Sequence, residues 1–474
     1  MKEPLKKIAL VTAGALAGGA LTISLQALAQ KDAVAPLPLN ELRTFAEVFG
    51  RIKQEYVEPV EDKKLINQAI KGMISGLDPH SDYLDADAFK ELREGTQGEF
   101  GGLGIEIGAE DGAVKVIAPI EDTPAQKAGI KSGDLIVKID ETPVRGLSLT
   151  DAVKKMRGKP GTKVTLTVAR KLETKPLVFT LTRAVIKTKS VKFKMLEPDF
   201  GYIRIAQFQE HTTENLVEAI QTLYRDNQKP LRGLILDLRD DPGGLLTGAV
   251  GVSSVFLPKG ALVVYTEGRA DDAKMRLTAI PQSYTRSPGK DPLAALPADV
   301  KSLPLVVLVN AGSASASEIV AGALQDHKRA VLVGTQTFGK GSVQSILPLG
   351  GNAGGIKLTT AHYYTPSGRS IQAKGITPDV IVEDGKLTAA ESALRVREAD
   401  LENHLNNPNG DDKAPARPVR RIEPPKDDKN APKGDGKDDK SEVNPRDPNP
   451  KTDFQLGQAL NILKAQQILG KKAN

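Results

Sequence analysis

The sequence predicts a layered α/β core carrying a small α+β module, and three observations point there. Beyond residue 200, buried-strand runs alternate with helical ones: Tyr202 to Ile205, a helix near Glu214 to Tyr224, Gly233 to Leu238, a helix near Leu245 to Phe256, Pro304 to Val309, a helix near Ala316 to Gln325, and Val331 to Val333. Runs of this kind belong to a sheet whose faces are both covered by helices. Between Gly98 and Arg183 the pattern changes to short β-rich runs: Ile105 to Ile107, Val114 to Ile117, Leu135 to Ile139, Lys163 to Arg170 and Leu177 to Leu181. Two helical patches interrupt them, Ala125 to Ala128 and Leu149 to Met156. Finally, 474 residues with 39% hydrophobic content can bury separate cores for these parts.

The flanks are helical or exported. Residues 36–97 hold two amphipathic patterns: Leu42, Phe45, Phe49, Ile52 and Tyr56 after an N-cap candidate at Asn40, then Leu65, Ile66, Ala69, Ile70, Met73 and Ile74. They end at Gly76-Leu77-Asp78-Pro79-His80-Ser81, where proline turns the chain out of helix and Asp85 offers a cap for the next one. In residues 1–29, Lys2, Lys6 and Lys7 precede an uncharged stretch ending in Ala27-Leu28-Ala29. This is the pattern of an export signal cleaved after Ala29, with a membrane anchor as the alternative. Either reading sends the body of the protein across the inner membrane, into the periplasm.

Residues 386–452 read as a disordered linker. Nine prolines stand between Pro408 and Pro450, with many Asp and Lys and no aromatic residue from Asn406 to Lys451. Residues 453–470 follow as a helix, with Leu456, Leu460 and Leu463 on one face and Asp453 as its cap. Its apolar stripe needs a partner across the linker or on another subunit, and with the helices of Asn40 to Ser75 it predicts a homo-oligomer.

Composition removes several chemistries. Sixty-five basic against 59 acidic residues leave a net charge of only +6, so no nucleic-acid footprint is expected. The absence of cysteine excludes a thiol nucleophile, a Cys-ligated zinc site and disulfides.

Three stretches carry chemistry. In Leu305 to Val309, Asn310-Ala311-Gly312-Ser313-Ala314-Ser315-Ala316-Ser317-Glu318, an apolar strand meets a turn of small residues and a helix start. A serine on such a corner presents its hydroxyl outward, beside the free N–H groups of the helix's first turn. The alternative is that Ser313, Ser315 and Ser317 merely cap the helix. Gly334-Thr335-Gln336-Thr337-Phe338-Gly339-Lys340-Gly341-Ser342 resembles a phosphate-binding loop but has Gly341 where a magnesium-ligating Ser or Thr must stand. Read instead as a desolvated lysine in a glycine-flanked loop, Lys340 would have a depressed pKa and could serve as a general base; the alternative is a surface loop lysine. The buried strand from Gly233 runs into Asp240-Asp241-Pro242-Gly243-Gly244, a turn whose bare N–H groups suit an oxyanion hole, or a plain connection.

In order and in kind, these stretches resemble the C-terminal processing (tail-specific) serine peptidases from about Leu37 to Asp384. Leu77-Asp78-Pro79-His80-Ser81, Gly101-Gly102-Leu103-Gly104-Ile105, Asp237-Leu238-Arg239 through Gly244, Gly312 to Glu318, Gly339-Lys340-Gly341 and Tyr364-Thr365-Pro366-Ser367-Gly368-Arg369-Ser370-Ile371 carry the likeness. The resemblance implies a crotonase- or Clp-protease-like core over residues 186–385. It makes Ser315 the nucleophile, Lys340 the base and Gln344 its orienting residue, with Ala316 and Gly243 or Gly244 as oxyanion donors. Residues 98–185 resemble a PDZ domain, in which Gly102, Leu103, Gly104 and Ile105 receive a peptide's terminal carboxylate. Asp241 departs from the family, which usually has Asn before the Pro-Gly-Gly turn.

The resemblance also implies substrates with exposed apolar C-termini, an activator or adaptor protein as a candidate partner, and no metal or cofactor. Glu318 and Asp326 are candidates to position the dyad, or to pair with Lys328 or Arg329. A Ser-His-Asp triad through His327 or His362, and an inactive PDZ adaptor, are the competing readings.

Overall fold

The computed structural model describes residues 37–383, 396–410 and 448–470, apart from 111–112, 121, 146, 148, 172, 174, 286–290 and 352–353. The signal-like residues 1–29 and most of the expected linker lie outside the described residues. The chain forms two compact units, one to Ile70 and one from Lys71.

In the first unit, α1 (Leu39–Glu55) buries no residue, and Leu39, Leu42, Phe45, Val48 and Ile52 form an exposed stripe. Its cap is Pro38 rather than Asn40, which lies inside the first turn and accepts the Thr44 hydroxyl on its carbonyl at 3.1 Å. A second helix, α2 (Asp62–Ser75), begins in the first unit, continues past Ile70 into the second and is followed by the Leu77–Ser81 motif.

The second unit continues with β1 (Asp82–Leu84) and α3 (Ala86–Gln97), capped as expected by Asp85, whose carboxylate accepts the Ala88 N–H at 2.9 Å. Next come β2 (Glu99–Gly102) and the α+β module: β3 (Ile105–Glu110), β4 (Ala113–Pro119), α4 (Pro124–Lys127), β5 (Leu135–Ile139), β6 (Thr142–Pro143), α5 (Leu149–Met156), β7 (Lys163–Ala169) and β8 (Leu177–Thr182). Burial alternates along β7, where Val164, Leu166 and Val168 point into a core with Val116, Ile136 and Leu181. The sheet order β3-β4-β5-β7-β8 leaves β3 at an edge. The chain leaves the module through β9 (Ala184–Lys187), which pairs with β2.

The core sheet is built from β10 (Val191–Glu197), β11 (Phe200–Ile205), then after α6 (Thr212–Asn227) β12 (Gly233–Asp237). Beyond α7 (Leu246–Phe256) the chain makes β13 (Leu262–Gly268), β14 (Arg276–Thr278) and the short α8 (Pro281–Tyr284). There follow β15 (Leu305–Val309), α9 (Ala316–Asp326), β16 (Val331–Gly334), β17 (Ser342–Pro348), β18 (Gly355–Tyr364), β19 (Val380–Ile381) and α10 (Phe454–Gly470). Strands β10-β11-β12-β15-β16-β19 form one sheet, parallel from β11 onward. All five residues of β12 and of β15 are buried, because both faces are covered. One face packs on α6, α7 and α9 through Leu234, Leu236, Val307 and Val309.

On the other face, Ile235, Val306 and Leu308 meet Leu456, Ala459, Leu460 and Leu463 of α10. Of the two partners expected for the stripe of α10, across the linker or on another subunit, it is the first: the stripe is absorbed by its own chain and gives no reason for a second subunit. Asp453 caps α10 as expected, its carboxylate accepting the Leu456 N–H at 3.0 Å. The same carboxylate takes two hydrogen bonds from Arg239, which also forks onto the buried Asp237. Residues 396–410 are also folded, with Glu398 and Asn407 buried, so that part of the expected linker is ordered by polar contacts.

A second, antiparallel sheet, β1-β18-β13-β14 with β17 on β18, was not legible in the sequence. Its strands β17 and β18 are only half buried, and β1 joins Lys357 from residue 82, across most of the chain.

Candidate active site

Ser315 stands at the N-cap of α9 with φ 55° and ψ −113°, a conformation that costs a non-glycine residue energy and is held by its surroundings. The neighbouring serines do the holding. Ser313 donates to the Leu238 carbonyl at 2.7 Å and Ser317 to the Asp241 carbonyl at 2.9 Å, while the Ala314 N–H reaches the same Asp241 carbonyl at 3.0 Å. Ser313 thus ties the corner to the end of β12 and Ser317 ties it to the Asp-Pro-Gly-Gly turn, and Ser315 is left facing a cleft. Tyr363, whose phenol donates to the Lys340 carbonyl, lines the same cleft.

The cleft, about 720 Å³, is lined by Ser315, Ala316, Lys340, Gln344, Gly243 and Gly244, so the fold brings the predicted catalytic set together. Leu92, Leu245, Leu246, Ile319, Val343 and Ile346 give it apolar walls. Burial depresses the Lys340 ammonium, Lys357 adds to the depression, and Glu398, Glu318 and Asp78 oppose it, leaving a pKa of about 8. Gln344 directs its amide nitrogen at Ser342 and Thr359, at 3.0 and 3.1 Å. Thr359 in turn donates to Asp78 at 3.1 Å, so Gln344 belongs to a hydrogen-bonded floor built on the Leu77–Ser81 motif.

Of the two glycines expected as alternative donors, one has its N–H engaged. The Gly243 N–H donates to the Asp241 carboxyl at 2.8 Å and is therefore committed, leaving the N–H groups of Gly244 and Ala316 for an oxyanion. Gly243 remains indispensable by shape: a Cβ there would lie 2.8 Å from both the Ala316 nitrogen and the Ser315 Cβ. Burial pushes the Asp241 carboxyl up to about 7, against the Gly243 N–H and the Ser317 hydroxyl that pull it down. The added acidity of the turn is thereby muted. Asp240 exchanges hydrogen bonds with the Asn310 side chain, each at 2.9 Å.

Glu318 is the residue that sequence reasoning underweighted. Fully buried, it accepts the N–H groups of Ser315 at 2.9 Å, Gly339 at 2.8 Å and Lys340 at 3.0 Å, and the Thr337 hydroxyl at 2.5 Å. One carboxyl therefore joins the serine corner to the lysine loop. Asp326 instead takes the Ser367 N–H at 2.9 Å and pairs with Arg369, not with Lys328 or Arg329.

Of the two histidines proposed for a triad, neither has a hydrogen bond to Ser315 among the described residues. His327 bonds the Leu262 carbonyl at 2.7 Å, and burial lowers the pKa of His362, whose Nδ1 has no partner among the described residues. His80, overlooked as a candidate, lies 2.7 Å from the buried Glu398. Tyr363 was missed too, although it adjoins the Tyr364-to-Ile371 motif.

In the module, Gly104 has φ +76°, and a Cβ there would come 2.2 Å from Thr123 Cβ, so only glycine fits that loop. The loop leads into β3, an edge strand whose outer side can accept a peptide strand.

Three family models match the chain: peptidase family S41 over residues 199–382, a PDZ domain over 101–181, and the activating protease CtpB N-terminal domain over 15–88. The chain is 43% identical over 426 residues to the carboxy-terminal-processing protease of Bartonella bacilliformis, covering 90% of this chain and 94% of that one. It is 33% identical over 390 residues to the carboxy-terminal processing protease CtpB of Bacillus subtilis, covering 81% and 76%. Among solved structures it is similar to the photosystem II D1 C-terminal processing protease, at 30% identity and TM-score 0.39 over 72% of this chain and 92% of that one.

Proposed function

The chain belongs to peptidase family S41 as a PDZ-containing carboxy-terminal processing protease, and on that premise we propose that it cuts by a Ser315–Lys340 dyad. Neutral Lys340 takes the Ser315 proton as Oγ attacks the scissile carbonyl. The oxyanion rests on the N–H groups of Ala316 and Gly244. The C–N bond then breaks, the leaving amine takes the proton from the Lys340 ammonium, and water hydrolyses the acyl-enzyme. The observation that carries this reading is the strained Ser315 corner, joined through Glu318 to the loop of a lysine that burial holds near pKa 8.

Substrate tails with apolar C-termini add to the edge of β3, their carboxylate received by the Gly102–Ile105 loop, and the adjoining chain enters the leucine-walled cleft. The work is done outside the inner membrane, in the periplasm, after export directed by residues 1–29. Fractionation of cells making the full chain tests the export: recovery of the protein in the cytosol refutes it.

The test of the chemistry is cleavage of a loosely folded reporter with an apolar C-terminus by the full chain, Ser315→Ala and Lys340→Ala, each shown to melt like the parent. Loss of cutting in both variants supports the dyad, whereas full-rate cutting by Lys340→Ala returns the base to one of the histidines.

A further inference from the structure

The loop bearing Lys340 is held at every backbone polar group. Phe338 donates to the Ser313 carbonyl at 3.1 Å, and Gly339 and Lys340 donate to Glu318. The Gly339 carbonyl accepts from Ala373 at 2.7 Å, that of Gly341 from the Tyr363 N–H at 3.0 Å, and that of Lys340 from the Tyr363 phenol. The two remaining groups are reached from one side. The Phe338 carbonyl accepts the Glu398 N–H at 3.2 Å, and the Gly341 N–H donates to the Gln372 side chain at 2.8 Å.

Gln372, fully buried, donates from its other end to Glu398 at 2.9 Å, and the second carboxyl oxygen of Glu398 meets His80 at 2.7 Å. The segment that delivers Glu398 is itself fastened: Asn407 donates to the Gln372 carbonyl at 2.8 Å, and Asn409 accepts from the Ser370 N–H at 2.8 Å. Nothing in the dyad chemistry uses His80, Gln372 or Glu398, yet from positions far apart in the chain Gln372 reaches Gly341, Glu398 reaches Phe338 and Gln372, and His80 reaches Glu398.

We propose that Glu398, braced by His80, is a positioning residue for Lys340: its backbone N–H holds Phe338 and, through Gln372, its carboxyl holds Gly341, so that it fixes the loop on both sides of the base. Residues 396–410 thereby complete the catalytic loop. This rests on Lys340 being the general base. The charged groups that face Lys340 are Lys357 from β18, Glu318 from α9, Asp78 from the Leu77–Ser81 motif, and Glu398; the three acids favour the ammonium and Lys357 opposes it. Removing the Glu398 charge while keeping its shape therefore makes Lys340 easier to deprotonate.

The experiment is the pH dependence of kcat/KM for reporter cleavage from pH 6 to 9, using the full chain. Glu398→Gln retains an acceptor for Gln372 and keeps a polar atom in reach of the His80 ring nitrogen. Its acid limb is expected to move to lower pH by about half a unit or more. Glu398→Asp keeps the charge but withdraws the carboxyl by one methylene. It is expected to leave the limb in place and lower kcat roughly tenfold to a hundredfold with KM unchanged.

A Glu398→Gln profile that superimposes on the parent's overturns the proposal alone. A parent with no acid limb in this range overturns the Lys340 reading and the proposal with it. Should Glu398→Gln fail to melt cooperatively, His80→Ala decides: kcat is expected to fall about tenfold and to return in His80→Gln. Parental kcat in His80→Ala overturns the proposal.

Discussion

Replacing Glu318 with Gln removes one charge from a site where four donors converge. Its carboxyl accepts Gly339 and Thr337 on one oxygen and Ser315 and Lys340 on the other. An amide can satisfy only one of these pairs. The cheaper orientation turns the NH₂ toward Thr337, whose hydroxyl can accept, and leaves the Gly339 N–H unpaired at a cost of about 1–3 kcal/mol. Against this, burial already works on the carboxyl, pushing its pKa up to about 7 although the Thr337 hydroxyl and three N–H groups pull it down. Removing a strained buried charge offsets much of the lost bond.

Because the folded pKa lies above the ordinary 4.5, the stability contributed by Glu318 is present below pH 4.5 and is lost as pH rises through about 7. The variant is therefore expected to melt within a few degrees of the parent at pH 8. Its rate should not survive. A loop relaxed by even about 1 Å at Gly339 displaces the neighbouring lysine, and misplacement on that scale costs roughly a hundredfold in kcat. The assay is steady-state cleavage of the reporter at pH 8.5 alongside a thermal melt. A kcat within about twofold of the parent, with an unchanged melt, would refute the view that Glu318 holds corner and loop in register.

Three further outcomes follow from the same geometry. With a pKa of about 8, the neutral fraction of Lys340 is 1/(1 + 10), about 9%, at pH 7 and 10/(1 + 10), about 91%, at pH 9, so kcat/KM should rise about tenfold between them; a flat profile contradicts this. Gly243→Ala should abolish cutting, because its Cβ would fall 2.7 Å from the Ala314 carbonyl oxygen and 2.8 Å from the Ala316 nitrogen; fluorophosphonate labelling of Ser315 at the parental rate would contradict it. Leu460→Asp should strip α10 from the sheet and lower stability by about 3 kcal/mol or more, read as a lower urea midpoint, since a buried leucine contributes about 1.5–3 kcal/mol and the new charge adds a desolvation penalty.

Local patterns were enough to determine the module and the parallel sheet. Leu305 to Val309 is apolar throughout, and Gly233 to Leu238 is so but for Asp237, because both faces of their strands are covered, and a run of that kind reads directly from sequence. The small-residue corner at Ser315 and the glycine-flanked Lys340 were equally visible, since backbone approach and strain demand particular residues at particular places. What joins them was not visible. Glu318 is one acidic residue on a helix, with a solvent-facing salt bridge as its ordinary role, and only the return of residues 337–340 over α9 encloses it.

The same holds for Gly243, whose N–H looked free until Asp241 folded back onto it, and for α10, whose partner was the far face of its own sheet. His80 and Glu398 stand 318 residues apart, and no periodicity links them. Sequence by itself determined which segments form strands, corners and helices, because those follow from near neighbours along the chain. Tertiary structure alone decided which donors are spent, which carboxyls are buried and what surrounds the lysine, because hydrogen-bond partners and desolvation depend on groups that meet only when the chain has closed.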